Sequence, residues 1–219
     1  MITKTSTSRY SFGEEIANSI SHGTGIVLAI AGLAVLTTFA SIFGTVWHVV
    51  GCSIYGSTLV LLYTASTLYH SIQQPRAKAV LRILDHSGIF LLIAGTYTPF
   101  MLVNLRGPWG WSLFGMIWGL AVVGIILQTT LLRHSSIASV VLYVTMGWAV
   151  VVAIKPLLAT VAAGGLMLLV VGGLAYTFGI AFFAWRRLPF HHSIWHLFVL
   201  VGSITHFFAI LFYVVPVAE

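Results

Sequence analysis

Charge is what this sequence has least of. Only 6% of its 219 residues are Asp, Glu, Lys or Arg, while 59% are hydrophobic and the mean hydropathy is +1.03. A soluble domain carries about 25% charged residues, so this chain cannot cover a water-facing surface, and an ordinary soluble enzyme is excluded. Cysteine is almost missing too. Cys52 stands alone, which excludes an internal disulfide or a thiolate cluster and leaves nitrogen and oxygen as the ligands for any metal. Four acidic residues face ten basic ones, yet the basic residues are scattered between apolar runs. That pattern excludes a nucleic-acid-binding stripe and points to membrane topology. No cleavable leader is expected, because residues 1–20 are polar and the first apolar run begins at Ser21.

Long apolar runs are what the chain has in abundance. Between punctuation there are seven: Gly23–Phe43, Val46–Leu68, Ile83–Val103, Trp109–Leu127, Ile137–Ile154, Leu157–Phe183 and Ile194–Val215. A bilayer core takes about 20 apolar residues per helix. The expected fold is therefore an all-α, seven-transmembrane-helix bundle over residues 22–216, preceded by a cytoplasmic segment, 1–21. The break between the fifth and sixth helices is placed at Lys155-Pro156, where proline disrupts a helix and the lysine seeks solvent. A cytoplasmic N terminus puts Lys4, Arg9, Arg76, Lys78, Arg82, Arg133, Arg186 and Arg187 inside, leaving only Arg106 and Lys155 outside. Positive charge thus predicts an extracytoplasmic C terminus. Trp47, Trp109 and Trp111 then fall at the outer interface and Trp185 at the inner one. Gly164, Gly165, Gly172, Gly173 and Gly179 in the sixth segment read as points of close helix approach.

Polar side chains next to such runs are expensive and mark functional sites. Asn18 and His22 share a helical face with Glu15 close to the same stripe, and Ser66 and His70 share another. Asp85 opens the third segment, and His192 and His196 open the last. On this topology they all gather at one membrane face. His206 lies ten residues beyond His196, about 15 Å deeper; it should face the bundle interior but cannot share an ion with His196.

Three imidazoles plus an open position is the arrangement of a catalytic zinc. His192 and His196 are one turn apart and His70 supplies a third nitrogen. Asp85 is placed as an outer orienter or as general base, and Ser66 as a hydrogen-bond donor to water or substrate. Glu15, Asn18 and His22 form a supporting polar cluster, expected to contact the last helix or the loop after the second. Capping the first helix or pairing with an arginine of a neighbouring loop is an equal expectation for Glu15, and Glu14 is expected to be solvated. His48, His134 and His191 read as interfacial, and His86 as turned about 100° from Asp85 on the helix. Without metal, the same histidines would form a proton-relay or hydrogen-bond network with Asp85.

Three blocks carry a resemblance over Glu14 to Tyr213: Glu15-x-x-Asn18-x-x-x-His22-Gly23, Ser66-x-x-x-His70 with Asp85-x-x-Gly88, and His192-x-x-x-His196 with His206. The chain resembles the bacterial haemolysin III family, within the superfamily of progestin and adiponectin Q receptors, which is grouped with the alkaline ceramidases. The resemblance implies seven helices, a cytoplasmic N terminus and residence in the bacterial inner membrane. It also implies zinc on His70, His192 and His196, with Asp85 reaching the metal through water and Ser66 close by. Short outer loops set the chain apart from the hormone receptors, and no soluble protein ligand is expected.

Three functions follow. The first is zinc-dependent hydrolysis of a lipid amide or ester, the lipid tail lying in the bundle. The second is a non-enzymatic sensor of lipid state or membrane energetics with a structural zinc. The third is a channel or pore, which the scarcity of deep polar residues disfavours. A cavity running sideways to lipid would favour the first; a continuous polar route would favour the third.

Overall fold

The computed structural model describes residues 10–131 and 135–216. Lys4, Arg9, Arg133 and His134, used above for topology and as an interfacial histidine, lie outside them. The described secondary structure is helical: α1 (Phe12–Phe43), α2 (Val46–Ser71), α3 (Pro75–Leu102), α4 (Pro108–Thr129), α5 (Ser136–Gly147), a 3₁₀ helix (Trp148–Ala153), α6 (Ile154–Thr160), α7 (Ala163–Ala184) and α8 (His191–Tyr213). Seven segments are long and apolar enough to cross a membrane, with Ile137–Thr160 forming the fifth. The expected seven-helix membrane fold is what forms.

Several boundaries differ from expectation, each for a physical reason. Lys155-Pro156 is not the break between the fifth and sixth spans; the turn falls at Val161 and Ala162. Pro156 sits in the first turn of α6, where its missing N–H has no helical partner to lose, and the 3₁₀ segment before it carries the change in pitch. Two helices start eight or more residues before their apolar runs. Ser11 and Glu14 form a capping box that starts α1 at Phe12. Gln74 accepts from the Ala77 N–H ahead of Pro75, starting α3 there. Asp85 therefore does not open its helix but lies ten residues inside it, and residues 12–21 belong to α1 rather than to a separate segment. Hydropathy marks where lipid begins; backbone hydrogen bonding starts earlier.

The bundle is built by α1 packing on α2 and α8, α2 on α3, α3 on α4, and α7 on α8. Leu36, Tyr55, Ile117 and Ala209 are buried between them, while Val27, Ile30, Val122 and Val171 face outward. Small residues set the closest approaches, as membrane helices require. A Cβ on Gly51 would stand 2.9 Å from the Pro99 backbone, joining α2 to α3. Gly165, Gly172 and Gly179 recur at seven-residue spacing along α7 and receive Tyr213, His206 and Trp195 of α8. At the end where α1 finishes and α2 begins, Trp47 packs edge-on to Trp111 at 5.5 Å and Arg106 lies 4.5 Å over the Trp47 ring.

Candidate metal centre

The opposite end collects the polar residues. α2 ends there while α1, α3 and α8 begin there, so side chains far apart in sequence meet. His70, His192 and His196 each offer a ligand atom, and these atoms lie within 4.8 Å of one another. Ring centroids are 5.1 Å apart for His70 and His192, 5.2 Å for His70 and His196, and 4.5 Å for His192 and His196. Zinc–nitrogen bonds are about 2.0–2.1 Å long, so these three rings are the ones that would hold such an ion. All three side chains are buried.

The hydrogen bonds around the rings decide which nitrogens face inward. His70 Nδ1–H donates to Glu15 Oε2 at 2.6 Å, which puts the lone pair on Nε2. His196 Nδ1–H is shared between Ser21 Oγ at 3.0 Å and the Asn18 carbonyl at 3.3 Å. Among the described residues, His70 Nε2 and His192 Nδ1 are buried without a hydrogen-bond partner. A buried unsatisfied nitrogen costs about 1–3 kcal/mol, so orphaned lone pairs on converging rings are what a resident cation would relieve. The donor set, three neutral imidazoles with no thiolate, suits zinc.

Outside the rings lies a shell that orients them, the usual companion of metal-binding histidines. Glu15 bridges His70 and Lys78, whose Nζ donates to Glu15 Oε1 at 2.7 Å and to the Tyr69 carbonyl at 3.1 Å. Asn18 Oδ1 accepts from Ser193 Oγ at 2.6 Å, tying α1 to α8. His22 stacks on His196 with centroids 3.5 Å apart and planes 12° from parallel, and meets Tyr63 edge-on at 5.0 Å. Tyr10 stacks on His192 at 4.9 Å. Ser66 Oγ is buried one turn before His70 on α2, without a hydrogen-bond partner among the described residues. Asp85 is buried and interacts electrostatically with His70 and His192.

Several expectations need correction here. Glu15 pairs with Lys78 of α3 and with His70 of α2. Glu14 is engaged rather than merely solvated: it closes the capping box and accepts from the Phe190 N–H at 3.1 Å. That residue starts α8 in the left-handed region, φ 57°, so the carboxylate pins the turn that presents His192. His191 is the first residue of α8 and is buried, a satisfied polar group whose Nδ1–H donates to the Phe182 carbonyl at 3.2 Å. His86 Nδ1 comes within 3.5 Å of Asp85 Oδ2 despite being the next residue on the helix. Lys78, Tyr10, Ser21, Ser193 and Tyr63 escaped the sequence reading. Lys78 was legible only as a topology charge, and nothing near Tyr10 marks it; their partners come from other helices.

A cavity of about 330 Å³ adjoins the histidines. His22, Asp85, His192 and His196 line one end, and Met101, Leu105 and Leu157 the other, with His206 between. Its wall is overwhelmingly apolar. Trp148, Ile154, Leu158 and Val170 line it and are also exposed on the protein surface, which places an apolar side opening between the fifth span and α7. His206 stays clear of the three-histidine group, its ring stacked on Tyr176 at 5.5 Å.

Comparison with known proteins agrees with this architecture. The family model described as "Haemolysin-III related" matches residues 10–207. Hemolysin-3 of Bacillus cereus is 52% identical over 206 residues, 94% of each chain. A Hemolysin-3 homolog of Bacillus subtilis (strain 168) is 45% identical over 208 residues, covering 95% of this chain and 98% of that one. The human monocyte to macrophage differentiation factor is 31% identical over 205 residues, covering 90% of this chain and 83% of its own. With the matched region running from the residue before α1's cap into α8, the chain belongs to the haemolysin III family.

Proposed function

We propose that this protein is a zinc-dependent intramembrane hydrolase acting on a lipid amide or ester. One observation carries the reading. Three buried imidazoles converge, His70 and His192 each with an orphaned nitrogen, and His192 and His196 line one end of an apolar cavity together with a buried carboxylate, Asp85. A structural zinc would be closed by four protein ligands; three leave a coordination position for substrate or water. Bound there, zinc would act as a Lewis acid that polarises the scissile carbonyl and makes water acidic enough to attack near neutral pH.

The chain's own residues divide the remaining work. Glu15 fixes the His70 tautomer and the Asn18 carbonyl with Ser21 fixes that of His196, so both present Nε2 inward. Asp85 takes the proton released by the attacking water and returns it to the leaving group. Ser66, with no hydrogen-bond partner among the described residues, offers its hydroxyl to the carbonyl. The cavity receives the lipid tail, entering sideways past Trp148 and Leu158. The distribution of basic residues supports a cytoplasmic N terminus and a site near the inner leaflet of the bacterial inner membrane. Conduction finds less support, because most polar groups on the cavity wall already donate to the protein: Tyr97 to the Gly147 carbonyl, Thr96 to Leu92 and Thr177 to Gly173.

Elemental analysis of protein purified without chelator is expected to find one zinc per chain, and none in His196→Ala. Asp85→Asn is expected to keep most of its zinc while hydrolysis of lipid amides and esters in detergent or vesicles falls by at least about a hundredfold, the weight of a general base. Zinc in His196→Ala at wild-type level, or full turnover in Asp85→Asn, would refute the reading.

A further inference from the structure

His206 is a buried imidazole on the cavity wall, well away from the three-histidine group, and the chemistry above does not use it. Its Nδ1 lies 2.7 Å from the Gly202 carbonyl of its own helix. A carbonyl can only accept, so the hydrogen is on Nδ1 and Nε2 holds a lone pair. Stacking on Tyr176 and the close fit against Gly172 of α7 fix the ring. Among the described residues Nε2 has no hydrogen-bond partner. The neighbouring hydroxyls are already committed. Tyr176 and Tyr63 both meet Ser203 Oγ, at 2.9 and 2.7 Å, and Tyr143 donates to the His86 carbonyl at 3.0 Å. His206 therefore sets a fixed ring-nitrogen acceptor in a largely apolar wall, too deep to reach a headgroup beside His196.

We propose that His206 is a specificity residue that accepts a hydrogen bond from a hydroxyl carried part-way along the lipid's acyl chain, so that the cavity selects hydroxylated chains. Ten residues of helix separate it from His196, about 15 Å along α8. An extended chain advances about 1.2 Å per bond, which places the hydroxyl roughly a dozen bonds from the headgroup. An unsubstituted chain leaves the buried acceptor unmatched, and a buried polar group without a partner discriminates strongly. This inference rests on the cavity being a lipid site, as proposed above.

A fatty acid is the acyl product of such a hydrolysis and occupies the same cavity without turnover. The test is therefore displacement of a fluorescent fatty acid from the purified full-length protein by octadecanoic, 2-hydroxyoctadecanoic and 12-hydroxyoctadecanoic acids. The 12-hydroxy acid is expected to bind roughly three- to tenfold more tightly than either other acid, the size of one net hydrogen bond. In His206→Leu that preference should vanish, with octadecanoic acid binding at least as tightly as to the wild-type protein because no unmatched acceptor is left, and His206→Gln, which keeps an acceptor, should recover part of it. Equal binding of the three acids to the wild-type protein overturns the role of His206 while leaving the lipid site standing, and needs no variant to fold. A preference that survives in His206→Leu overturns it as well. Failure of every acid to displace the probe overturns the lipid site and this inference together.

Discussion

At the scale of single residues, the site is a matter of which nitrogen points where. Glu15 decides this for His70, and Lys78 holds Glu15 in place from α3. Such an outer partner tunes metal affinity by roughly 10–100-fold without supplying a bond to the metal. Lys78→Met is accordingly expected to weaken zinc binding by about that factor, measured by competition with a chelator. Lys78→Arg should restore much of the affinity, since it also presents hydrogen-bond donors to Glu15. The three histidines themselves were legible in the sequence because one-turn spacing and apolar surroundings make them conspicuous. Lys78 was not, because a lysine beside an apolar run has a sufficient explanation in topology. Tyr10 left no trace at all: its meaning lies in a ring of α8 that sequence distance hides.

At the scale of elements, fit between helices rather than hydropathy sets the geometry. Gly51 faces the backbone of Pro99, which has no flexible end to yield. Gly51→Ala should push α2 and α3 apart and cost about 1–3 kcal/mol, the usual penalty of overpacking, seen as a lower midpoint in thermal unfolding. Gly173→Ala is the matched control, because its Cβ would meet nothing closer than Trp148 at 3.9 Å; it should be neutral. Hydropathy told how many spans there are but not where helices begin, since caps such as Ser11 and Gln74 lie outside the apolar runs. It also misplaced the turn at Pro156, because a proline in a first turn breaks nothing and the 3₁₀ segment before it left no mark in composition.

At the scale of the molecule, the three-histidine cluster joins α2 to α8 and the Asn18–Ser193 bond joins α1 to α8. Topology is testable here with little interference, because the native Cys52 is buried. A cysteine replacing Arg186, in the turn between α7 and α8, is expected to be shielded from an impermeant thiol reagent in intact cells and labelled after lysis. One replacing Arg106, between α3 and α4, should be labelled from outside. The reverse pattern would invert the proposed orientation.

The order in which the chain is made gives the Glu15–Lys78 pair a second meaning. His192 follows His70 by 122 residues in the sequence; at about 5–20 residues per second the ribosome needs many seconds to supply the other half of the histidine cluster. During that interval α1, α2 and α3 are in place with a carboxylate, an ammonium and an imidazole among them. In the finished protein Glu15, Lys78 and His70 satisfy one another without any atom of α8. The nascent three-helix unit can thus settle in lipid with the Glu15 and Lys78 charges already paired. The histidines of α8 then dock onto a prepared half-site, and on the proposed reading metal loading would be a late step of biogenesis that only a fully inserted chain could complete.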